Sequence, residues 1–136
     1  MLRSLVVILA LWMGSSQTGH EEMVTLFGPT GNDLLRQCGD IGRFDNKIGT
    51  VASPTEIITT AKNVGMCSGF IAGVLDTTEG YASIKAIHKP YCLPPQVKFE
   101  QLVKVVMKNL QDNPANLHEP GEILVKAAMA NAFPCK

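Results

Sequence analysis

The side chains with the widest chemical reach in this 136-residue chain are four cysteines (Cys38, Cys67, Cys92 and Cys135) and three histidines (His20, His88 and His118). At metal-ligand spacing such residues hold zinc, and beside a base a cysteine becomes a nucleophile. Neither arrangement is present. No two cysteines form the short C-x-x-C pair that structural zinc sites use, so no metal is expected. His88 and His118 sit beside prolines in turn-forming stretches, and His20 belongs to a polar N-terminal segment. There is no G-x-S-x-G elbow, no H-E-x-x-H pair and no phosphate-cradling glycine loop. Asp76 and Glu79 lie three apart, a spacing that shares one helix face. Nothing apolar surrounds both to shift a pKa, so a solvated face is expected there. The chain reads as non-enzymatic and without a cofactor.

What the cysteines can do depends on where the protein works. Met1–Leu2–Arg3 is a short positive start, Leu5 to Met13 is an unbroken apolar run, and Gly14, Ser15 and Ser16 are small. This is the layout of a secretory signal peptide, expected to span residues 1–16 with cleavage near Ser16–Gln17. The run is too short for the roughly 20 residues that cross a bilayer, so no stable membrane anchor is expected. Export to the periplasm makes four cysteines two disulfides. Removing Arg3 with the leader leaves 11 basic and 12 acidic residues, a formal charge of −1. Such neutrality gives no support for a nucleic-acid partner, which normally needs a basic patch, and none is expected.

Helices must position these residues. After an exposed arm over 17–29, Thr30 or Asn32 caps a short helix carrying Leu34 and Leu35 and ending at Cys38. Gly39 to Ser53 is rich in Gly, Asp and Asn and reads as a loop, pinned by Ile41, Phe44, Ile48 and Val51. Ser53, Pro54 and Glu56 start the second helix, expected to run to about Ala86 with a bend near Gly65 or Gly80. Its apolar series is Ile57, Ile58, Ala61, Val64, Phe70, Ile71, Val74 and Leu75. A third helix is expected over Pro95 to Gln111, with Val97, Leu102, Val103, Val106 and Leu110 inward. A fourth runs from Pro120 to Ala132, with Ile123, Leu124, Ala127, Ala128 and Phe133 inward. No strand-period alternation is long enough for a sheet. The expected fold is all-α: a small disulfide-stapled bundle of about four helices forming one domain over 30–136.

Short connections make neighbouring helices antiparallel, which leaves Cys92 and Cys135 at one end of the last hairpin. Cys38 closes the first helix and Cys67 lies early in the second. The expected pairs are Cys38–Cys67 and Cys92–Cys135, contributing about 3.6 and about 4.0 kcal/mol by the chain-entropy model. Gly65, Gly69 and Gly73 recur every four residues and form a smooth strip on the second helix. Either another helix of the same chain packs on that strip or a second copy does.

Four segments occur in order from Thr30 to Cys135: TGNDLLRQC, CSGFIAGVLD, YCLPPQVKFEQLVKVVMKNLQDNP and EILVKAAMANAFPC. Together they resemble the Tai family of immunity proteins, which protect bacteria against amidase toxins delivered by type VI secretion. The most specific pieces are C-x-G-[FY]-I-x-G-V-x-D at Cys67 to Asp76, C-L-P at Cys92 to Pro94, and the terminal F-P-C. The resemblance implies a periplasmic, often homodimeric protein that binds a cognate peptidoglycan amidase effector and blocks its groove. The segment between Cys38 and Cys67 is long for the family, and the exposed loops carry no motif that aligns residue by residue. The expected toxin-contact surface is the proline-stiffened turn Gln111 to Glu119, with Asp112, Asn113, Asn116 and His118, beside the loop Gly39 to Thr50. An ordinary helix connection would have the same composition. Two other functions fit a secreted helical domain: a small-ligand carrier with an apolar cavity, and a periplasmic acid-stress chaperone with exposed apolar surface.

Overall fold

A computed structural model of the chain describes residues 28–41 and 53–136. The expected leader, most of the arm, His20, Phe44, Ile48 and Val51 lie outside the described residues. Four α-helices follow in order: α1 Gly31–Cys38, α2 Pro54–Ser83, α3 Phe99–Asp112 and α4 Gly121–Ala132, with a 3-10 turn at Pro114–Asn116. No strand occurs among the described residues, and the fold is all-α.

Local chemistry sets most of the helix ends. Thr30 caps α1 in a full capping box: the Asp33 N–H donates to Thr30 Oγ1, and the Thr30 N–H donates to Asp33 Oδ2 at 3.0 Å. The Thr30 hydroxyl adds a 2.8 Å bond to the same carboxylate. Hydrogen bonds from Thr30, first its hydroxyl and then its N–H, hold the Asp33 carboxyl below its usual value against the opposing effect of burial, and Arg36 adds to the lowering. Ser53 caps α2 by accepting from the Glu56 N–H, with Pro54 in the first turn.

Two boundaries differ from the sequence expectation. α2 ends at Ser83, short of Ala86, because Lys85 adopts a left-handed φ of 57°. The Ala86 N–H then reaches back to Tyr81 O and the Lys85 N–H to Ala82 O, the two bonds of a Schellman end. α3 starts at Phe99, four residues after Pro95. The stretch before it closes as a turn through Val97 N–H to Pro94 O, and Gln101 Oε1 accepts from the Lys98 N–H at 2.9 Å, which fixes Lys98 as the cap. α2 is continuous through Gly65 and Gly80.

The eight-residue α1 is the centre of the molecule and packs on all three other helices. Its Leu34 is fully buried. Around it lie Ile71, Val74 and Leu75 of α2, Leu102, Val103, Val106 and Leu110 of α3, and Leu124, Val125, Ala128 and Met129 of α4. In the apolar series of α2, Ile57, Ile58 and Ala61 are exposed, because α2 is about 45 Å long and α1 only about 12 Å, so the first turns of α2 run past their neighbour. The inward list of the last helix needs correction. On α4, Ile123 is 56 % exposed and Ala127 is exposed, while Val125 and Met129 take the core positions. With helical residues pointing back along the axis, a one-residue error in phase moves the buried stripe by 100°.

Cys38 is bonded to Cys67 and Cys92 to Cys135. The first bridge is buried and joins α1 to the middle of α2; the second is exposed and ties the C-terminus to the α2–α3 connector, where the Cys92 N–H also donates to Phe133 O at 2.8 Å.

Candidate functional site

The turn between α3 and α4 is built on a crossing of two chain segments. Thr30 and Pro120 form an isolated antiparallel bridge. The Gly121 N–H donates to Pro29 O at 2.8 Å, the Gly31 N–H to Glu119 O at 3.2 Å and the Asn32 N–H to Leu117 O at 2.9 Å. This crossing is tight. A methyl group added at Gly31 would lie 2.9 Å from Leu117 Cα, and one at Gly121 would lie 2.6 Å from Pro29 O. Each glycine follows the capping residue of its helix, and together they let the segments touch backbone to backbone. Thr30–Gly31 and Pro120–Gly121 are the repeated pattern by which a sequence reading could have found the crossing. Gly28 precedes it in the left-handed region at φ 79°, against the Phe70 ring.

Above this base the turn presents Asp112, Asn113, Asn116 and His118, all exposed. The last turn of α3 and the backbone of the turn hold them. The Asp112 carboxylate meets Lys108 Nζ at 2.8 Å, and Asn113 Nδ2 donates to Asn109 O at 2.8 Å. The Asn116 N–H donates to Asn113 O, and the Glu119 N–H donates to Asn116 O. His118 Nε2 lies 3.3 Å from Glu119 Oε1, an ion pair only when the imidazole is protonated. Half-buried Leu117 anchors the turn on the core. The four residues singled out in the sequence therefore stand together on one proline-stiffened projection. Its neighbour is Gly28 to Asn32. The described start of the Gly39 to Thr50 loop instead lies against α2, where Asn63 Nδ2 donates to Asp40 Oδ2 at 2.8 Å.

The glycine strip has a different setting from the one favoured by intramolecular packing. Gly65, Gly69 and Gly73 are exposed, and among the described residues nothing beyond the adjoining backbone of α2 itself lies within 4 Å of where a methyl group would stand on any of them. No helix of the described chain packs there.

The remaining chemical candidates are dispersed. Glu79 pairs with Lys89 at 2.8 Å, and Asp76 is exposed one turn before it. His88 is exposed beyond the end of α2. No cluster of metal-binding side chains occurs among the described residues. Tyr91 is wholly buried and its hydroxyl lacks a hydrogen bond of good geometry. Burial pushes its phenol above the ordinary value; the Thr78 hydroxyl beside it, which donates to Val74 O at 2.7 Å, opposes this, and the Glu79 and Asp76 carboxylates add to the rise. A phenol so enclosed meets no substrate.

Comparison with curated proteins and with solved structures returned no match. The sequence profile of the Rap1a immunity proteins, in contrast, matches residues 30–135, which takes in all four helices, both disulfides and the projecting turn. The chain belongs to the Rap1a family of immunity proteins.

Proposed function

We propose that this immunity protein acts in the periplasm, where it binds a peptidoglycan amidase delivered by type VI secretion and blocks the groove in which the amidase takes its substrate. The observation that carries the reading is the projecting turn. Its backbone and the Asn113 side chain are held by internal hydrogen bonds, and its base is locked by the Thr30–Pro120 crossing. A projection that is already ordered loses little conformational freedom on entering a cleft, so its contacts count towards affinity. Asn113, Asn116 and His118 offer donors and acceptors to the polar groups that line a hydrolytic site, and Asp112 offers a carboxylate already partnered by Lys108.

Membership of an immunity family, two disulfides and the leader-like N-terminus support the same reading. Inhibition by occupancy needs no turnover, so the protein acts in stoichiometric amounts. The test is growth of cells that export a type VI amidase, with and without this chain. Protection that disappears on replacing Asn113, Asn116 and His118 by alanine, with the fold intact by circular dichroism, supports the reading. Failure to protect against any amidase encoded beside the protein sinks it.

A further inference from the structure

The two disulfides stand in opposite surroundings. Cys38 is 3 % exposed and Cys67 is fully buried, so no thiol reaches that bridge while the core is closed. Cys92 and Cys135 are both exposed. Thiol–disulfide exchange requires a thiolate to reach a sulfur, and only the second bridge meets that requirement in the folded protein.

Its two sulfurs also differ in how the chain holds them. Cys92 lies between Tyr91, which is wholly buried, and Leu93, which packs on the core. Its N–H donates to Phe133 O at 2.8 Å, a bond that does not involve the sulfur. Cys135 lies three residues beyond the end of α4, between exposed Pro134 and exposed Lys136. Among the described residues, the backbone of Pro134, Cys135 and Lys136 makes no hydrogen bond. The nearest acceptor to Cys135 Sγ is Lys89 O, at 4.0 Å. An adduct on Cys135 can therefore swing outward with the tail, whereas one on Cys92 stays against the connector.

We propose that Cys92–Cys135 is a thiol-exchange site for a dithiol, such as a C-x-x-C pair, and that Cys135 is the sulfur it modifies. The attacking thiolate bonds to Cys135 Sγ. The sulfur–sulfur bond breaks with its electron pair going to Cys92, which takes a proton from water. The second thiol of the pair, as thiolate, then attacks the mixed disulfide, forms the partner's own disulfide and releases Cys135, which is protonated in turn. Two electrons pass from the dithiol, which is oxidised, to the bridge, which is reduced. Opening the bridge takes no buried side chain out of the core: α3 keeps Val106 and Leu110 inside, and α4 keeps Val125 and Met129. The projecting turn lies at the other end of α3, fourteen residues and about 21 Å along the helix, with its base held by the Thr30–Pro120 crossing. The site thus takes its partner without covering the turn, and it does not depend on the turn being a toxin contact.

The test uses the oxidised exported chain, with dithiothreitol as the dithiol and glutathione as a monothiol that stops at the mixed disulfide. Timed samples are quenched with acid, alkylated and mapped by mass. Dithiothreitol is expected to open Cys92–Cys135 about a hundredfold faster than Cys38–Cys67, because the buried bridge waits on an opening of the core. Helix content by circular dichroism stays unchanged at that stage. With reduced glutathione, the adduct is expected on Cys135 about tenfold more often than on Cys92. Cys92→Ser and Cys135→Ser each leave a single thiol at the site, and oxidised glutathione should label the first variant about tenfold faster than the second. Opening of the two bridges at equal rates, earlier opening of Cys38–Cys67, or loss of helix with the first bridge overturns the proposal. So does glutathione shared equally between the two sulfurs, or a Cys92 thiol labelled as fast as the Cys135 thiol.

Discussion

The two sides of α2 do different work with similar residues. The inner side sends Cys67, Ile71, Val74, Leu75 and Thr78 into the core, and Cys67 is bonded to the central helix. The outer side carries glycines, single aliphatic residues and the charges of Lys62 and Asp76, all exposed. Mean hydropathy along α2 therefore describes neither side. The comparison teaches that stability resides in the half of the helix facing α1, while the other half is free to vary without loosening the fold.

The largest effect should come from breaking the inner side where it is covalently tied. Replacing Cys38 and Cys67 together by alanine should cost about 4–5 kcal/mol, from loss of the loop constraint and the space left by two buried sulfurs. Equilibrium denaturation measures it. Ile71→Ala, which empties a fully buried site, should cost about 3–4 kcal/mol, whereas Ile58→Ala on the outer side should change monomer stability by less than about 0.5 kcal/mol. Equal costs at the two positions would erase the distinction between the sides.

Smaller effects sharpen it at the ends of the helices. Lys85→Gly should stabilise by about 0.5–1 kcal/mol, because Lys85 holds a left-handed conformation that glycine adopts without steric cost. The capping box of α1 should respond to acid. Asp33 has a lowered folded value, so its contribution is complete above the unfolded value of 3.8 and disappears as pH falls through the lowered one. Asp33→Asn should therefore be less stable than the native chain at pH 6, with the gap narrowing as pH falls below 3.8. Tyr91→Phe should be close to neutral or slightly stabilising, since the hydroxyl it removes has no good partner.

Features set by neighbours in the chain were legible in the sequence, and those set by tertiary geometry were not. The start of α2 rests on Ser53 and Pro54 alone, and the buried face of α3 on a regular apolar spacing, so both were readable. α3 begins late because Gln101 reaches back to Lys98, a choice that competes with the proline start only in three dimensions. The central place of α1 is invisible locally: eight residues look like a minor element until three helices are seen around them. The glycine strip was visible as a strip, but its direction depends on where the short helices stop. The turn residues were identifiable by composition. Their rigidity comes from the Gly31 and Gly121 crossing, which joins segments about ninety positions apart.

The central claim is inhibition by stoichiometric occupancy. The direct measurement is titration of the purified, oxidised protein into a periplasmic type VI amidase cleaving peptidoglycan fragments, with complex formation followed in parallel. The account predicts that activity falls linearly to zero at a fixed molar ratio, with this chain recovered intact and the substrate fragments unaltered by it alone. Undiminished amidase activity at excess inhibitor, or turnover of the fragments by this chain itself, would contradict it.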